Sequence, residues 1–225
     1  MTIMIKAALA KIIENKNLTK AEAYESMTDI MKGVATPSQI AGFLVALRMK
    51  TETIEEIAGL ALAMRDASKS LTLYPKLLVD CCGTGGDGQG GLNLSTAAAF
   101  VVAGAGLTVA KHGNRSISSR CGSADLLEIL GVKVDPPTAA IEQSINVAGI
   151  GFLFAPNFHP AMKNVMPTRK ELGIRTVFNI LGPLTNPAKA QVQLVGVYSE
   201  KMTSVIANVL AKMNLKGGLV VHSHG

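Results

Sequence analysis

A chain of 225 residues with 48% apolar side chains is long enough for one large domain or two small ones built around a true core. Aromatic residues make up only 4%, Trp is absent, and Ala, Gly, Leu and Val are plentiful, which suits close-packed helices on a parallel sheet and argues against a base-stacking nucleic-acid binder. The net charge of +6 is dispersed and contains no basic run, so it reads first as a solvated surface and fits an anionic small ligand at least as well as a polyanion.

Lys6, Lys11 and Glu14 interrupt the N-terminal stretch and exclude a signal-peptide core. Residues 1–70 read as a helical domain of four helices. Ile5, Leu9, Ile12 and Ile13 form the apolar stripe of the first. The next three each open with a capping box, in which a Thr hydroxyl and a carboxylate or amide three residues on satisfy free N–H groups reciprocally: Thr19/Glu22, Thr36/Gln39 and Thr53/Glu56. Pro37 stands where a first-turn proline is tolerated, and Gly33 ends the preceding helix.

After Leu71 short apolar strands alternate with helices. Strands are expected at Leu77–Cys82, Leu107–Lys111, Val132–Val134, Gly151–Phe154, Gln191–Tyr198 and Leu219–His222. Helices are expected from Ser95, over Ser123–Leu130 up to Gly131, from Asp135-Pro136, over His159–Leu172 and after Ser199. The fold class is therefore α/β: a small all-helical N-terminal domain, joined in space by part of 159–185, and a larger domain over 71–225 with a mainly parallel sheet flanked by helices. Adjacent Cys81 and Cys82 point to opposite faces of a strand and Cys121 leaves an odd count, so a reducing, cytoplasmic setting is expected. The least polar run, Ala97–Ala110, is too short to span a bilayer.

In a parallel sheet, ligands bind beyond the carboxyl ends of the strands. Gly83-Thr84-Gly85-Gly86-Asp87-Gly88 follows the first strand and formally matches a dinucleotide fingerprint. That reading fails twice: the first good helix cap, Ser95, comes several residues late, and the second strand ends in Lys111-His112 where an acidic ribose ligand is wanted. No Gly-Lys-Ser/Thr follows either. What remains is a loop whose successive N–H groups can cradle an anion, with Asp87 as its one carboxylate. Asn93, Ser95 and Thr96 open an Ala-rich helix, a ready phosphate site. Lys111-His112-Gly113-Asn114-Arg115 adds two cations and a His around a small joint, and Ser116, Ser118, Ser119 and Ser123 add hydroxyls. Together they point to a bound phosphate compound.

GTGGDG, NLST, KHGNRSISS and CGSADLLE, in this order, resemble the anthranilate phosphoribosyltransferase family, as do the segments Phe152–Ala188 and Val195–Glu200. The resemblance covers the whole chain. It implies transfer of phosphoribose from 5-phosphoribosyl 1-diphosphate to the amine of anthranilate with release of diphosphate, and a homodimer through the helical domain; from the dispersed charge, the few aromatics and the short apolar run, no nucleic-acid or membrane partner is expected. It places the donor on Gly83, Gly86, Asp87, Asn93, Leu94, Ser95, Thr96, Lys111, His112, Gly113, Asn114, Arg115, Ser116, Ile117, Ser118, Ser119 and Ser123. It places anthranilate on Gly83, Asn114 and Arg169, with His112 and His159 lining the approach, and Mg²⁺ on Ser95. No covalent nucleophile is implied. Two departures stand out: Gly91-Leu92 replaces a hydroxyl-bearing residue of the family, and the chain ends at Gly225, before the family's Asp-Glu metal pair. Impaired turnover and an open sheet edge are therefore expected of this polypeptide. The alternatives are a pyrimidine-nucleoside phosphorylase, which shares the architecture, and a non-catalytic ligand-binding relative.

Overall fold

The computed structural model describes residues 4–85, 92–116 and 121–223. They fall into two compact units, the first comprising Met1–Ser68, His159–Thr185 and Asn208–Met213, the second Lys69–Phe158, Asn186–Ala207 and Asn214–Gly225. No helix among the described residues is long and apolar enough to cross a membrane.

The first unit begins with α1 (Met4–Ile13), α2 (Lys20–Met31), α3 (Pro37–Lys50) and α4 (Ile54–Asp66). All three expected capping boxes close: Thr19, Thr36 and Thr53 each accept the third residue's N–H while Glu22, Gln39 and Glu56 reach back to the cap's own N–H. Glu56 does more than cap. It is fully buried, accepts the N–H of Leu18 at 2.8 Å and of Thr53 at 2.7 Å, and pairs with the buried Lys50 ammonium at 2.9 Å. Gly59 lets α4 approach α2, because a Cβ there would overlap the carbonyl oxygen of Lys20 and stand 3.0 Å from Ala23 Cβ. Phe43, Leu44, Leu47, Ile57 and Leu60 are almost completely buried; each such side chain contributes about 1.5–3 kcal/mol of transfer free energy.

The second unit holds β1 (Val79–Gly83), α5 (Leu94–Gly104), β2 (Val109–Gly113), α6 (Ser123–Ile129), α7 (Thr138–Gln143), β3 (Ile150–Phe154) and α8 (Ala155–Phe158). In the first unit again come a 3₁₀ turn at Pro160–Asn164, α9 (Met166–Leu172), α10 (Phe178–Leu181) and a second 3₁₀ turn at Gly182–Leu184. Then β4 (Val192–Gly196), α11 (Lys201–Lys212) and β5 (Gly217–Val221) follow. The sheet is entirely parallel with order β3-β2-β1-β4-β5. One face carries Val79, Cys81 and Val109 against Ala99 of α5. The other carries Leu78, Ala110 and Leu153 against Ile141 of α7 and Ile145 of the π turn that extends it. The chain builds outward from β1 through β2 to β3, then returns to the other side of β1 with β4 and β5. The reversal falls between β1 and β4, and their carboxyl ends meet at Gly83 opposite Gly196. Such a switch point is where open α/β sheets leave a crevice.

Three local expectations are corrected. Val132–Val134 is not a strand. Pro136 and Pro137 follow at once and cannot donate to a ladder, and Val134 buries itself with Ala124, Leu127 and Phe152 instead. The helix expected from Asp135-Pro136 opens only at Thr138, since the residue before a proline is driven out of helical geometry. His159–Leu172 is broken at Val165 into a 3₁₀ turn and α9, just ahead of Pro167.

Candidate functional site

Val79–Cys82 are buried and Gly83 emerges exposed at the switch point. A Cβ on Gly83 would sit 3.4 Å from the carbonyl oxygen of Gly196, and the Thr84 N–H donates to that same oxygen at 2.9 Å. Gly85 takes φ +63°, a left-handed turn that glycine adopts without strain. Gly86 and Asp87 lie outside the described residues, as do Ile117, Ser118 and Ser119.

α5 starts one residue earlier than the sequence suggested. Asn93 is its cap and makes no side-chain capping bond, Leu94 opens the helix exposed, and Ser95 sits inside the first turn. Thr96 is 1% exposed, and its hydroxyl oxygen meets no partner among the described residues. That is unusual for a buried hydroxyl.

Lys111 is the charged centre of this region. Only 3% exposed, it runs toward β1 and donates from Nζ to the Cys81 carbonyl at 2.7 Å and toward Ser95 Oγ at 3.4 Å. Asp80, wholly buried on β1, accepts the His112 N–H at 3.0 Å and lies 3.5 Å from the Gln193 amide nitrogen. Asn186 ties in by donating to the Ala110 carbonyl at 2.8 Å. Burial pushes the Asp80 carboxyl up and the Lys111 ammonium down from their ordinary pKa values, and each charge opposes the shift of the other. Asp80, Asn186 and Gln193 were not among the expected site residues. Asp80 alone carried a signal, an acidic residue inside the apolar run LLVDCC, which a buried strand tolerates only with partners.

Beyond Lys111, His112 is buried and Gly113 is required sterically, since a Cβ there would lie 2.7 Å from Phe152 Cε2. Asn114 accepts the Arg115 N–H on its side-chain oxygen at 2.8 Å and the Ala124 N–H on its carbonyl at 3.2 Å. The Arg115 guanidinium is held by Glu128 through two bonds of 2.6 Å and by Asp125 at 3.1 Å, and stands 5.7 Å from the centre of the Phe154 ring. Ser116 donates its N–H to Asp125 at 3.0 Å. Ser123 is the first residue of α6.

Arg169 and His159 belong to the first unit. Arg169 lies on α9 with its guanidinium 5.0 Å from the Phe178 ring centre, and no carboxylate pairs with it among the described residues. Burial pushes its pKa down. His159 is 7% exposed, and burial pushes its imidazole down to about 4, against a bond with the Thr185 backbone.

Among the described residues no group of three His, Cys, Asp or Glu could hold a metal ion. The one expected protein ligand, Ser95, offers a single oxygen beside an ammonium. That donor set fits a Mg²⁺ ion carried mostly by phosphate oxygens and water, and does not fit a protein cage.

Residues 75–225 match the a/b domain of a glycosyl transferase family, and residues 6–68 match the helical bundle domain of the same family. The chain is 55% identical over 219 residues to the anthranilate phosphoribosyltransferase of Moorella thermoacetica, covering 97% of this chain and 65% of that protein. It is 52% identical to the one from Geobacter sulfurreducens, covering 97% and 67%. Among solved structures, the anthranilate phosphoribosyltransferase of Thermus thermophilus superposes with a TM-score of 0.92 at 50% identity, covering 97% of this chain and 66% of that one. The Saccharomyces cerevisiae enzyme in complex with phosphoribosyl diphosphate and Mg superposes at 0.87 with 30% identity, covering 98% and 66%. The chain spans about two thirds of the length of these relatives. The relatives favour the first expectation over a nucleoside phosphorylase. With both domains matched in order and the parallel sheet in place, the chain belongs to the glycosyl transferase family of these two domains and, within it, to the anthranilate phosphoribosyltransferases.

Proposed function

We propose that the chain binds 5-phosphoribosyl 1-diphosphate beyond the carboxyl ends of β1 and β2 and serves the transfer of its phosphoribosyl group to the amine of anthranilate. In that reaction the amine nitrogen bonds to C1 of the ribose, the bond from C1 to the diphosphate oxygen breaks, and the amine sheds a proton. Positive charge builds on the ribose and negative charge on the departing oxygens, so the protein's task is to orient the two substrates and to receive the diphosphate. Gly83, Gly86, Asp87, Asn93–Thr96, Lys111–Ser119 and Ser123 are the donor contacts in this reading. Mg²⁺, held by the donor's own phosphates with Ser95 as a ligand, would offset the charge on the leaving group.

The observation that carries the proposal is Lys111. Its ammonium has three protons and two partners among the described residues, inside the buried strand β2 and beside the first turn of α5. A buried cation with a donor to spare, next to helix N–H groups, is built to receive an anion. Arg169, partly desolvated and without a carboxylate partner among the described residues, suits the carboxylate of anthranilate, which a guanidinium grips with two parallel bonds. His112 and His159 would line the approach, and Gly83 and Asn114 would touch both substrates. The resemblance adds a homodimer through the helical unit, checked by sedimentation velocity. Soluble phosphorylated substrates and the thiols of Cys81, Cys82 and Cys121, which form no disulfide, suit a cytoplasmic setting.

Anthranilate fluorescence tests the reaction. Its decay should require the chain, the phosphoribosyl donor and Mg²⁺ together. Phosphorolysis of uridine or thymidine by the same preparation would contradict the proposal.

A further inference from the structure

We infer that Asp125 is a positioning residue for the phosphoribosyl donor, its carboxylate clamping together the two ends of the segment that leaves β2 at Asn114 and returns at Gly122. The inference rests on the donor-binding reading above. Oδ2 of Asp125 accepts the Ser116 N–H at 3.0 Å and the Gly122 N–H at 2.8 Å, while Oδ1 accepts Arg115 Nη1 at 3.1 Å. A carboxylate that reaches back to the N–H of its own helix cap is half a capping box and needs nothing more. The Ser116 N–H comes from nine residues away, on the outgoing side of the segment, and capping α6 does not require it.

Other contacts tighten the same neck. Ala124 donates to the Asn114 carbonyl at 3.2 Å, and Glu128 holds the far side of the Arg115 fork. Gly122 has no room for a side chain: a Cβ would overlap the Ser116 nitrogen and stand 2.6 Å from the Arg115 carbonyl carbon and 2.9 Å from the Asn114 oxygen. The two N–H bonds are also the leading causes holding the Asp125 carboxyl below its ordinary pKa. Asn114, Arg115 and Ser116 thus stand in one arrangement before any ligand arrives, and binding need not bear the entropy of ordering them.

Asp125→Ala removes the clamp. Asp125→Asn keeps an oxygen that can accept both N–H groups and gives up the bond to Arg115, whose guanidinium Glu128 still holds with two bonds. Donor affinity is read by calorimetry with phosphoribosyl diphosphate and Mg²⁺, and amide exchange of Ser116 and Gly122 is read by NMR on the ligand-free chains, with circular dichroism to verify the fold. D125A should bind about tenfold more weakly or worse, with faster exchange at both amides, and D125N should stay within about threefold of the unsubstituted chain. A residue that merely supported the fold would lower the melting temperature and leave the affinity of the folded chain unmoved. If the unsubstituted chain binds and D125A binds equally well, or if D125N is as weak as D125A, the inference falls alone. If the unsubstituted chain binds no donor, the donor reading falls and takes this inference with it.

Discussion

Lys111→Met is the sharpest perturbation of the proposed site. Methionine is of similar length and apolar, so it fills the 3%-exposed space that the lysine stem occupies. What it removes is the ammonium: the 2.7 Å bond to the Cys81 carbonyl, the contact with Ser95, and the proton left for a phosphate oxygen. A hydrogen bond to a charged group is worth about 1.5–3 kcal/mol, and each 1.4 kcal/mol is about tenfold in affinity. Donor binding should therefore weaken roughly tenfold to 150-fold. Stability responds separately. Asp80 loses the cation that opposes the upward push of burial on its carboxyl, so a cost of about 1–3 kcal/mol in urea unfolding is expected. Calorimetric titration with phosphoribosyl diphosphate and Mg²⁺, without urea and at a temperature well below melting, separates the two effects. A folded K111M chain that binds the donor within about twofold of the unsubstituted one refutes the reasoning.

Three further outcomes follow from the geometry. Glu56→Ala should cost about 3–5 kcal/mol in urea unfolding, because it strands two N–H groups and leaves the buried Lys50 ammonium without a counter-charge, held only by the neutral oxygens of Asn17 and Thr51; Glu56→Gln, which keeps acceptors for the N–H groups, should cost less. Gly122→Ala should leave the helical unit's unfolding unchanged while weakening donor binding, since the three atoms its methyl meets are all main chain and the neck must open. His159 gives a pH dependence. Its folded pKa of about 4 lies below the ordinary 6.5, so the unfolded chain binds the extra proton first, and stability is full above pH 6.5 and falls as pH drops toward 4. The loss is about 3 kcal/mol when complete, and His159→Leu should flatten that limb of a stability–pH curve measured by chemical denaturation.

Much of this architecture could be read from local chemistry. The three capping boxes are signals within four residues, and the structure closes each of them because the partners are already neighbours along the chain. Strand–helix alternation likewise announced the parallel sheet, and the glycine run marked the end of β1 at Gly83. The errors came where one local signal met a stronger one. Val132–Val134 has strand composition, yet the prolines at 136 and 137 and the pocket beside Phe152 decide its path. Partners distant in sequence were not legible. Nothing in LLVDCC says that Asp80 serves the His112 N–H, 32 residues on. Likewise, nothing in CGSADLLE says that Asp125 reaches across to Ser116. Arg115 shows the same limit from the other side: its position marked it as a donor residue, while its guanidinium is committed to Glu128 and Asp125. In the donor reading its contribution therefore comes from the main chain.

The most direct test of the account is where the donor lands. On titration of the isotopically labelled chain with phosphoribosyl diphosphate and Mg²⁺, the amide resonances of Gly83, Ser95, Thr96 and Lys111–Ser116 should shift together and saturate with one affinity. A titration that leaves those amides in place, or moves them equally with uridine, contradicts the assignment of the donor to the carboxyl ends of β1 and β2.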